Sequence, residues 1–346
     1  MSGHPATVAI GFVRDALSGV LRRHMDPNQF LSRAQIGHEL LGLPFTRVTA
    51  QQYETLILAL MDELNDEAMG HLAKPLPRGA FAFLCRSALP GTLSLQVALG
   101  RWIKGHQLIT NEIELMLYRE DNTAWLRLLT GDTPIEPMSF LPVVYFKSLH
   151  VLASWFVGER IPLTEVEFAC PRPPHADEYG RLFPGEVRFD SQGYGMRFPA
   201  RYLDMPIVQD ADSLDQFLRA APGNLLLQYR NTQRLSDEIR TLLSDALPDQ
   251  LPLSEVARAL RISQRTLHRR LIQEGTRFKA IKDGLRRDIA IDRLGHSSLS
   301  VEAIASEIGF SDASTFYRAF RAWTGVPPGV YRQHSQGKSA IRGATL

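Results

Sequence analysis

The sequence predicts an α+β N-terminal domain followed by an all-α C-terminal domain that carries two helix-turn-helix units joined by a long helix. Three observations carry this prediction. A helical pattern occurs twice near the C-terminus, alternating apolar segments are confined to the first two thirds, and the charge balance changes sign between the two regions. At 346 residues the chain exceeds one ordinary domain. With 44% hydrophobic and 22% charged residues it has the composition of a globular protein able to bury real cores.

The repeat is the strongest element. Residues 251–263 and 299–311 align at an offset of 48 residues. Leu253, Val256, Ala257 and Leu260 fall at i, i+3, i+4 and i+7, and so do Val301, Ile304, Ala305 and Ile308, which places each set on one helical face. The small residue in each copy, Ala257 or Ala305, lets a second helix cross closely. Gly309 gives the second copy the backbone freedom a helix C-terminus needs, and Arg261 stands at that place in the first. Ser263 and Asp312 are positioned to cap the helices that follow.

Those following helices start at Gln264 and Ala313, with Leu267 and Leu271, or Phe316 and Phe320, facing inward. A helix, a short turn and a second amphipathic helix make a helix-turn-helix. The outward residues are then Arg265, His268, Arg269 and Arg270 in the first copy, and Ser314, Tyr317, Arg318 and Arg321 in the second. Arginine can bind guanine through two hydrogen bonds, and His, Ser and Tyr can bond to bases or phosphates, so this face suits the major groove. One arginine-rich helix face is most often merely solvated; a pair with arginine at equivalent places, Arg269 and Arg318, is not so readily dismissed. Residues 278–294 read as one connecting helix with Phe278, Ile281, Leu285, Ile289 and Leu294 inward. Two such units on one face of DNA would enter successive major grooves about 34 Å apart, across roughly 20 base pairs.

Charge supports this reading. Residues 247–346 hold 16 Lys and Arg against 9 Asp and Glu, whereas residues 1–246 hold 23 against 28. A basic module thus follows an acidic body, as expected when only the module meets a polyanion. Two cysteines, Cys85 and Cys170, are too few for a disulfide framework, and the N-terminus lacks the pattern of a secretory signal, so a cytoplasmic location is expected. No uncharged apolar run reaches the ~18 residues of a membrane span.

Residues 232–332 resemble the DNA-binding domain of the AraC/XylS-type transcription regulators. The resemblance rests on residues 299–320 and on the ending Trp323-Thr-Gly-Val-Pro-Pro-Gly-Val-Tyr-Arg332, where Pro328 would open a last short helix. It implies base contacts by Arg265, His268 and Arg269, and by Ser314, Tyr317 and Arg318. The first copy departs from the family pattern at Pro252 and Arg261. From about Ser87 to Pro206 the chain is similar to the arabinose-binding-like effector domain of part of that family, including residues 175–183 and 186–190. That label does not make arabinose the ligand.

Within the N-terminal region, residues 7–25, 31–40 and 50–68 read as helices, and 112–118 with 123–129 as a β-hairpin around Glu120-Asp-Asn122. A long apolar helix is expected over 137–158. Short strands are expected at 166–168, 186–189 and 194–198, the last two joined by Ser191-Gln-Gly193. Pro171–Pro174 forces a loop, and Pro222-Gly-Asn224 breaks a helix near the boundary. The expected domains are an effector-binding and dimerisation domain over 1–221, a linker over 222–232, a DNA-binding domain over 233–335 and a tail over 336–346. Trp102, Trp125, Tyr145, Trp155 and Arg86 could line an effector pocket or simply pack the core. His175, Asp177 and Glu178 lack metal-ligand spacing, and Cys85 lacks the basic surroundings of a redox sensor beyond Arg86.

The expected protein is therefore a sequence-specific DNA-binding regulator, an effector-responsive activator, with double-stranded DNA, a small-molecule effector and RNA polymerase as partners. A homodimer is possible, and no cofactor, metal or enzymatic activity is expected. A repressor of the same family is the alternative. A nucleic-acid enzyme with a targeting domain is more distant, because the sequence has no Walker loop, nucleophile elbow or zinc deaminase motif.

Overall fold

The computed structural model describes residues 6–91, 93–130, 140–226, 235–274 and 276–335. Along the chain run β1 (Thr7–Ala9), α1 (Ile10–Arg22), α2 (Asn28–Arg33), β2 (Arg47–Thr49), α3 (Ala50–Leu64), α4 (Ala80–Ala88) and α5 (Leu95–Ile109). Then come β3 (Ile113–Glu120), β4 (Thr123–Thr130), α6 (Phe140–Val157), β5 (Glu165–Glu167), α7 (Tyr179–Leu182), β6 (Glu186–Arg188), β7 (Tyr194–Pro199), α8 (Ala211–Arg219) and α9 (Gly223–Leu226). The rest is helical: α10 (Leu235–Asp245), α11 (Leu253–Ala259), α12 (Gln264–Gln273), α13 (Phe278–His296), α14 (Val301–Glu307), α15 (Ala313–Thr324) and α16 (Pro328–Ser335).

Two compact units result, and they interleave in sequence instead of dividing at a single cut. One combines Met1–Ile10, Leu31–Tyr53 and Arg230–Leu346; the other combines Gly11–Phe30 and Glu54–Tyr229. The expected linker falls largely outside the described residues, as does the tail.

The second unit is α+β. Its five-stranded sheet has the order β3-β4-β7-β5-β6, with β5 and β6 parallel and the other pairs antiparallel. The hairpin expected from alternation is present, and Ala124, Leu126 and Leu128 of β4 are buried while Trp125 and Arg127 alternate to the other face. The expected adjacency of 186–189 and 194–198 is overturned. β5 lies between β6 and β7, so the Ser-Gln-Gly segment connects strands that are not neighbours.

Expected helices shift where a backbone position stops them. Residues 7–9 form a strand, not the first turn of a helix. The helix expected over 31–40 is split at Gln35, whose φ is +53°, and the third helix ends at Asn65 with φ of +47°. Helices α4, α5 and α8 had no expectation.

Helix α6 is long and apolar enough to cross a membrane by length and composition, yet 83% of it is buried inside the protein. It is a core helix. It also carries His150, one of three buried neutral histidines in this unit. The Nε2–H of His71 donates to the Ala16 carbonyl at 3.2 Å and its Nδ1 accepts from Arg22 at 3.1 Å. His106 Nε2 lies 2.8 Å from the Tyr145 hydroxyl, and His150 Nε2–H donates to the Ile161 carbonyl at 2.7 Å. Burial holds the pKa of each down at about 4.

The unfolded chain binds these protons near pH 6.5, so the stability they confer is complete above that value and is lost as pH falls toward 4. Urea unfolding followed by tryptophan fluorescence should show the midpoint falling across this window, and His150→Asn should flatten the slope. An unchanged midpoint between pH 6.5 and 4 would mean that these rings charge freely in the folded state.

Candidate nucleic-acid interface

The other unit is organised around α13. Its apolar stripe is buried through Ile281, Leu285, Ile289 and Leu294, as the spacing predicts, while Phe278 is only half-buried. A second set, Asp288, Ala290 and Ile291, is buried as well. Part of that cover comes from β2, which pairs antiparallel with β1 through Thr7↔Thr49, Val8↔Val48 and Ala9↔Arg47.

Asp288 is the electrostatic centre of this packing. One carboxylate oxygen accepts from the Thr7 hydroxyl at 2.6 Å and the other from Arg240 of α10 at 2.8 Å. Arg47 donates to the Thr7 hydroxyl at 2.7 Å and to the Thr7 carbonyl at 2.9 Å, and the Arg47 carbonyl accepts from the Tyr331 hydroxyl of α16. Burial alone would raise the Asp288 carboxyl, but Arg287, Arg240, Arg47 and the Thr7 hydroxyl hold it below the ordinary value. A charge paired in this way is tolerated inside a protein; an unpaired one is not.

Each end of α13 presents a helix-turn-helix. In the first, α11 meets α12 through Val256 and Ala257, and Leu267 and Leu271 anchor α12. In the second, Ile304, Ala305 and Ile308 meet α15, anchored by Phe316 and Phe320. The expected caps are present. Ser263 accepts from the Thr266 N–H at 3.1 Å, and Asp312 from the Thr315 N–H at 2.7 Å.

Both turns take the same left-handed residue, Arg261 at φ +54° and Gly309 at φ +77°. Only the second copy requires glycine, because a Cβ on Gly309 would run into the Pro248 carbonyl oxygen. At Arg261, which is exposed, the departure costs only the conformational penalty of about 1 kcal/mol. Arg286 of α13 ties the second turn down, donating to the Gly309 carbonyl at 3.0 Å and stacking over the Phe310 ring at 4.6 Å. Arg293 pairs with Glu307 of α14 at 2.7 Å.

All eight residues expected to face outward are exposed: Arg265, His268, Arg269 and Arg270 on α12, and Ser314, Tyr317, Arg318 and Arg321 on α15. Among the side-chain contacts here, Arg318 lies 3.3 Å from the Thr315 hydroxyl. Of the effector candidates, Trp102 and Tyr145 meet at His106, and the others have separate partners. Trp102 stacks on His106, Trp125 lies between Arg127 and Arg197, Trp155 stacks on Phe217, and Arg86 pairs with Asp215 at the surface. His175 pairs with Asp15 at 3.0 Å, and among the described residues no group of three His, Cys, Asp or Glu could hold a metal ion. Burial pushes the Cys85 thiol up to about 12.

Residues 25–207 match the family model for the arabinose-binding domain of AraC transcription regulators, and residues 256–334 match a helix-turn-helix domain. The chain belongs to the AraC family of transcription regulators. The ornithine utilization regulator of Pseudomonas aeruginosa is 28% identical to this AraC-family protein over 329 residues, covering 94% of this chain and 96% of that one. The transcriptional activator NphR of Rhodococcus is 32% identical over 205 residues, 57% of this chain and 58% of its own. The regulator CdpR of P. aeruginosa aligns over 93% of this chain and 98% of its own at 22% identity and a TM-score of 0.30. The family carries its helix-turn-helix domain for DNA binding beside an effector domain.

Sequence reasoning missed Asp288, Thr7, Arg47 and Arg286. A signal existed for one of them, since Asp288 lies seven residues after Ile281 on a buried helix face, where a carboxylate needs a partner. Asp288→Asn should remove the negative charge facing Arg287, Arg240 and Arg47 and destabilise this unit by about 3 kcal/mol. A carboxyl held below its ordinary value stabilises above the unfolded pKa of ~3.9 and ceases to as pH falls through the folded one. The difference between wild type and Asp288→Asn in urea should accordingly be full at pH 7 and shrink below about pH 4. Equal stability at pH 7 would show that the carboxylate holds nothing.

Proposed function

We propose that this AraC-family regulator is an effector-responsive activator that reads two successive major grooves of a promoter. The observation that carries the reading is the disposition of the two capped helices. α12 and α15 each bury one face against the unit and leave arginine-bearing residues exposed on the other. Arg265, His268, Arg269 and Arg270 read one half-site, and Ser314, Tyr317, Arg318 and Arg321 the other, across roughly 20 base pairs. Residues 1–221 supply effector binding and dimerisation, apart from the N-terminal segments Met1–Ile10 and Leu31–Tyr53 that pack within the DNA-binding unit, and a 222–232 linker leads to a DNA-binding domain over 233–335.

The effector is a small metabolite, a reading supported by a relative named for ornithine utilization. Activation is supported by a relative named as an activator, and RNA polymerase is then the partner at the promoter. The protein works in the cytoplasm, where its DNA is, and performs no catalysis. A coupling of about 1–3 kcal/mol between effector and DNA would suffice.

Footprinting of the full chain on its own upstream DNA should protect two patches one helical turn apart. Arg269→Ala should weaken binding by about 1–3 kcal/mol and relax preference at one base position, as Arg318→Ala should in the other patch. If both variants keep wild-type affinity and base preference, the helices do not read DNA. A promoter fusion whose output falls on adding the protein would replace activation by repression.

A further inference from the structure

We propose that Arg258 and Arg261 form a clamp on the phosphate backbone of DNA, beside α12 and outside the eight residues assigned to base reading. The proposal rests on α12 being a recognition helix and adds the contact that holds the duplex against it. Arg258 lies in the last turn of α11, and Arg261 in the turn that leads to α12. The Arg261 N–H donates to the Arg258 carbonyl at 3.0 Å, so the two side chains start about one helical turn apart. Both residues are exposed, and among the described residues neither guanidinium meets a carboxylate or another acceptor. Arg240, Arg286 and Arg293 differ, because each bonds to a partner within the same unit.

Folding does not account for Arg261. Its φ of +54° is disfavoured by a side chain and freely adopted by glycine, which fills the equivalent place in the second copy. An arginine is held there in a strained conformation while its guanidinium makes no bond that the unit uses. What the side chain contributes therefore lies outside the folded chain.

The placement fits a phosphate. In a docked helix-turn-helix the first helix crosses the sugar–phosphate backbone and the start of the second reaches base edges. The end of α11 and its turn then lie at the rim of the groove. A guanidinium pairs with phosphate through two parallel N–H bonds. The charge of the two copies differs in the same sense. Residues 251–275 hold five arginines against two glutamates, whereas the equivalent residues 299–323 hold two arginines against three acids. Ser306 and Gly309 stand where Arg258 and Arg261 do, and the Pro248 carbonyl leaves Gly309 no room for a side chain. The first copy alone is built to grip the backbone at this place.

A cation at a helix C-terminus also offsets the helix dipole. That role would be read in stability, whereas a phosphate contact is read in the salt dependence of binding, because each one releases counterions. The test is fluorescence anisotropy of the full chain on its footprinted upstream duplex and on a shuffled duplex of equal length, with salt varied from about 0.05 to 0.4 M. Arg261→Gly should keep or raise the unfolding temperature and weaken binding to both duplexes by about fivefold near 0.15 M salt. It should also reduce the slope of log affinity against log salt by about one. Arg258→Gln should reduce the slope equally, the double variant by about two, and Arg261→Lys should keep the wild-type slope. An unchanged slope in the double variant overturns the clamp. So does a loss confined to the upstream duplex, which would make these arginines base readers. Arg269→Ala separates this failure from failure of the reading beneath it. If it narrows the preference between the duplexes while the double variant leaves the slope alone, only the clamp falls. If it changes nothing while the double variant lowers the slope, the clamp stands and base reading by α12 falls.

Discussion

The DNA-binding unit depends on keeping one largely buried carboxylate charged. Asp288 sits in the middle of the helix that joins the two helix-turn-helix copies, and its partners come from two other parts of the chain: Thr7 and Arg47 from the N-terminal strands, Arg240 from α10. Remove the carboxylate and three arginines lose the negative charge they face, which costs more than the pairing contributes. Such a network adds little net stability over an apolar core. It imposes geometry, because few arrangements of β1, β2 and α13 satisfy all its members at once. The N-terminal strands are thereby part of the unit that carries the recognition helices. The Tyr331 hydroxyl on the Arg47 carbonyl extends the same bond pattern to α16.

The two copies of the repeat solve one problem with different residues. Both need a residue in the left-handed region at the turn and a side-chain acceptor at the start of the next helix. The second copy adds the close approach of the Pro248 carbonyl, which excludes a Cβ and makes glycine obligatory. It also adds the brace of Arg286 on Gly309 and Phe310. Arg261 in the first copy bears a small conformational penalty and keeps a charged side chain on the exposed surface. The departure from the family pattern therefore leaves the turn geometry in place.

What the sequence discloses follows from the range of the interactions involved. Caps, turns and i, i+3, i+4 stripes are local, so Ser263, Asp312, Gly309 and the anchors Leu267, Leu271, Phe316 and Phe320 are readable from the residues alone. The hairpin of β3 and β4 is likewise local. Strands β1 and β2 are three residues each and lie some forty residues apart, too short to show alternation and too distant to show pairing. The order of β5, β6 and β7 fails for the same reason, since chain adjacency predicts a neighbour that β5 displaces. The aromatics were legible as large side chains but not as partners: Trp102, Trp125 and Trp155 each stack on something different.

Buried polar groups in the same unit are consumed by the fold itself. His71 is buried with both ring nitrogens engaged, by a carbonyl on one side and Arg22 on the other, and nothing further could be bound there without breaking a bond already made. Asp66 is buried with three backbone N–H groups on its two oxygens. These are polar groups that the fold uses up. Lys147 on the core helix α6 is likewise engaged, its ammonium donating to the Leu182 carbonyl at 3.4 Å, so its long apolar stem packs while its charge meets the backbone of a neighbouring segment.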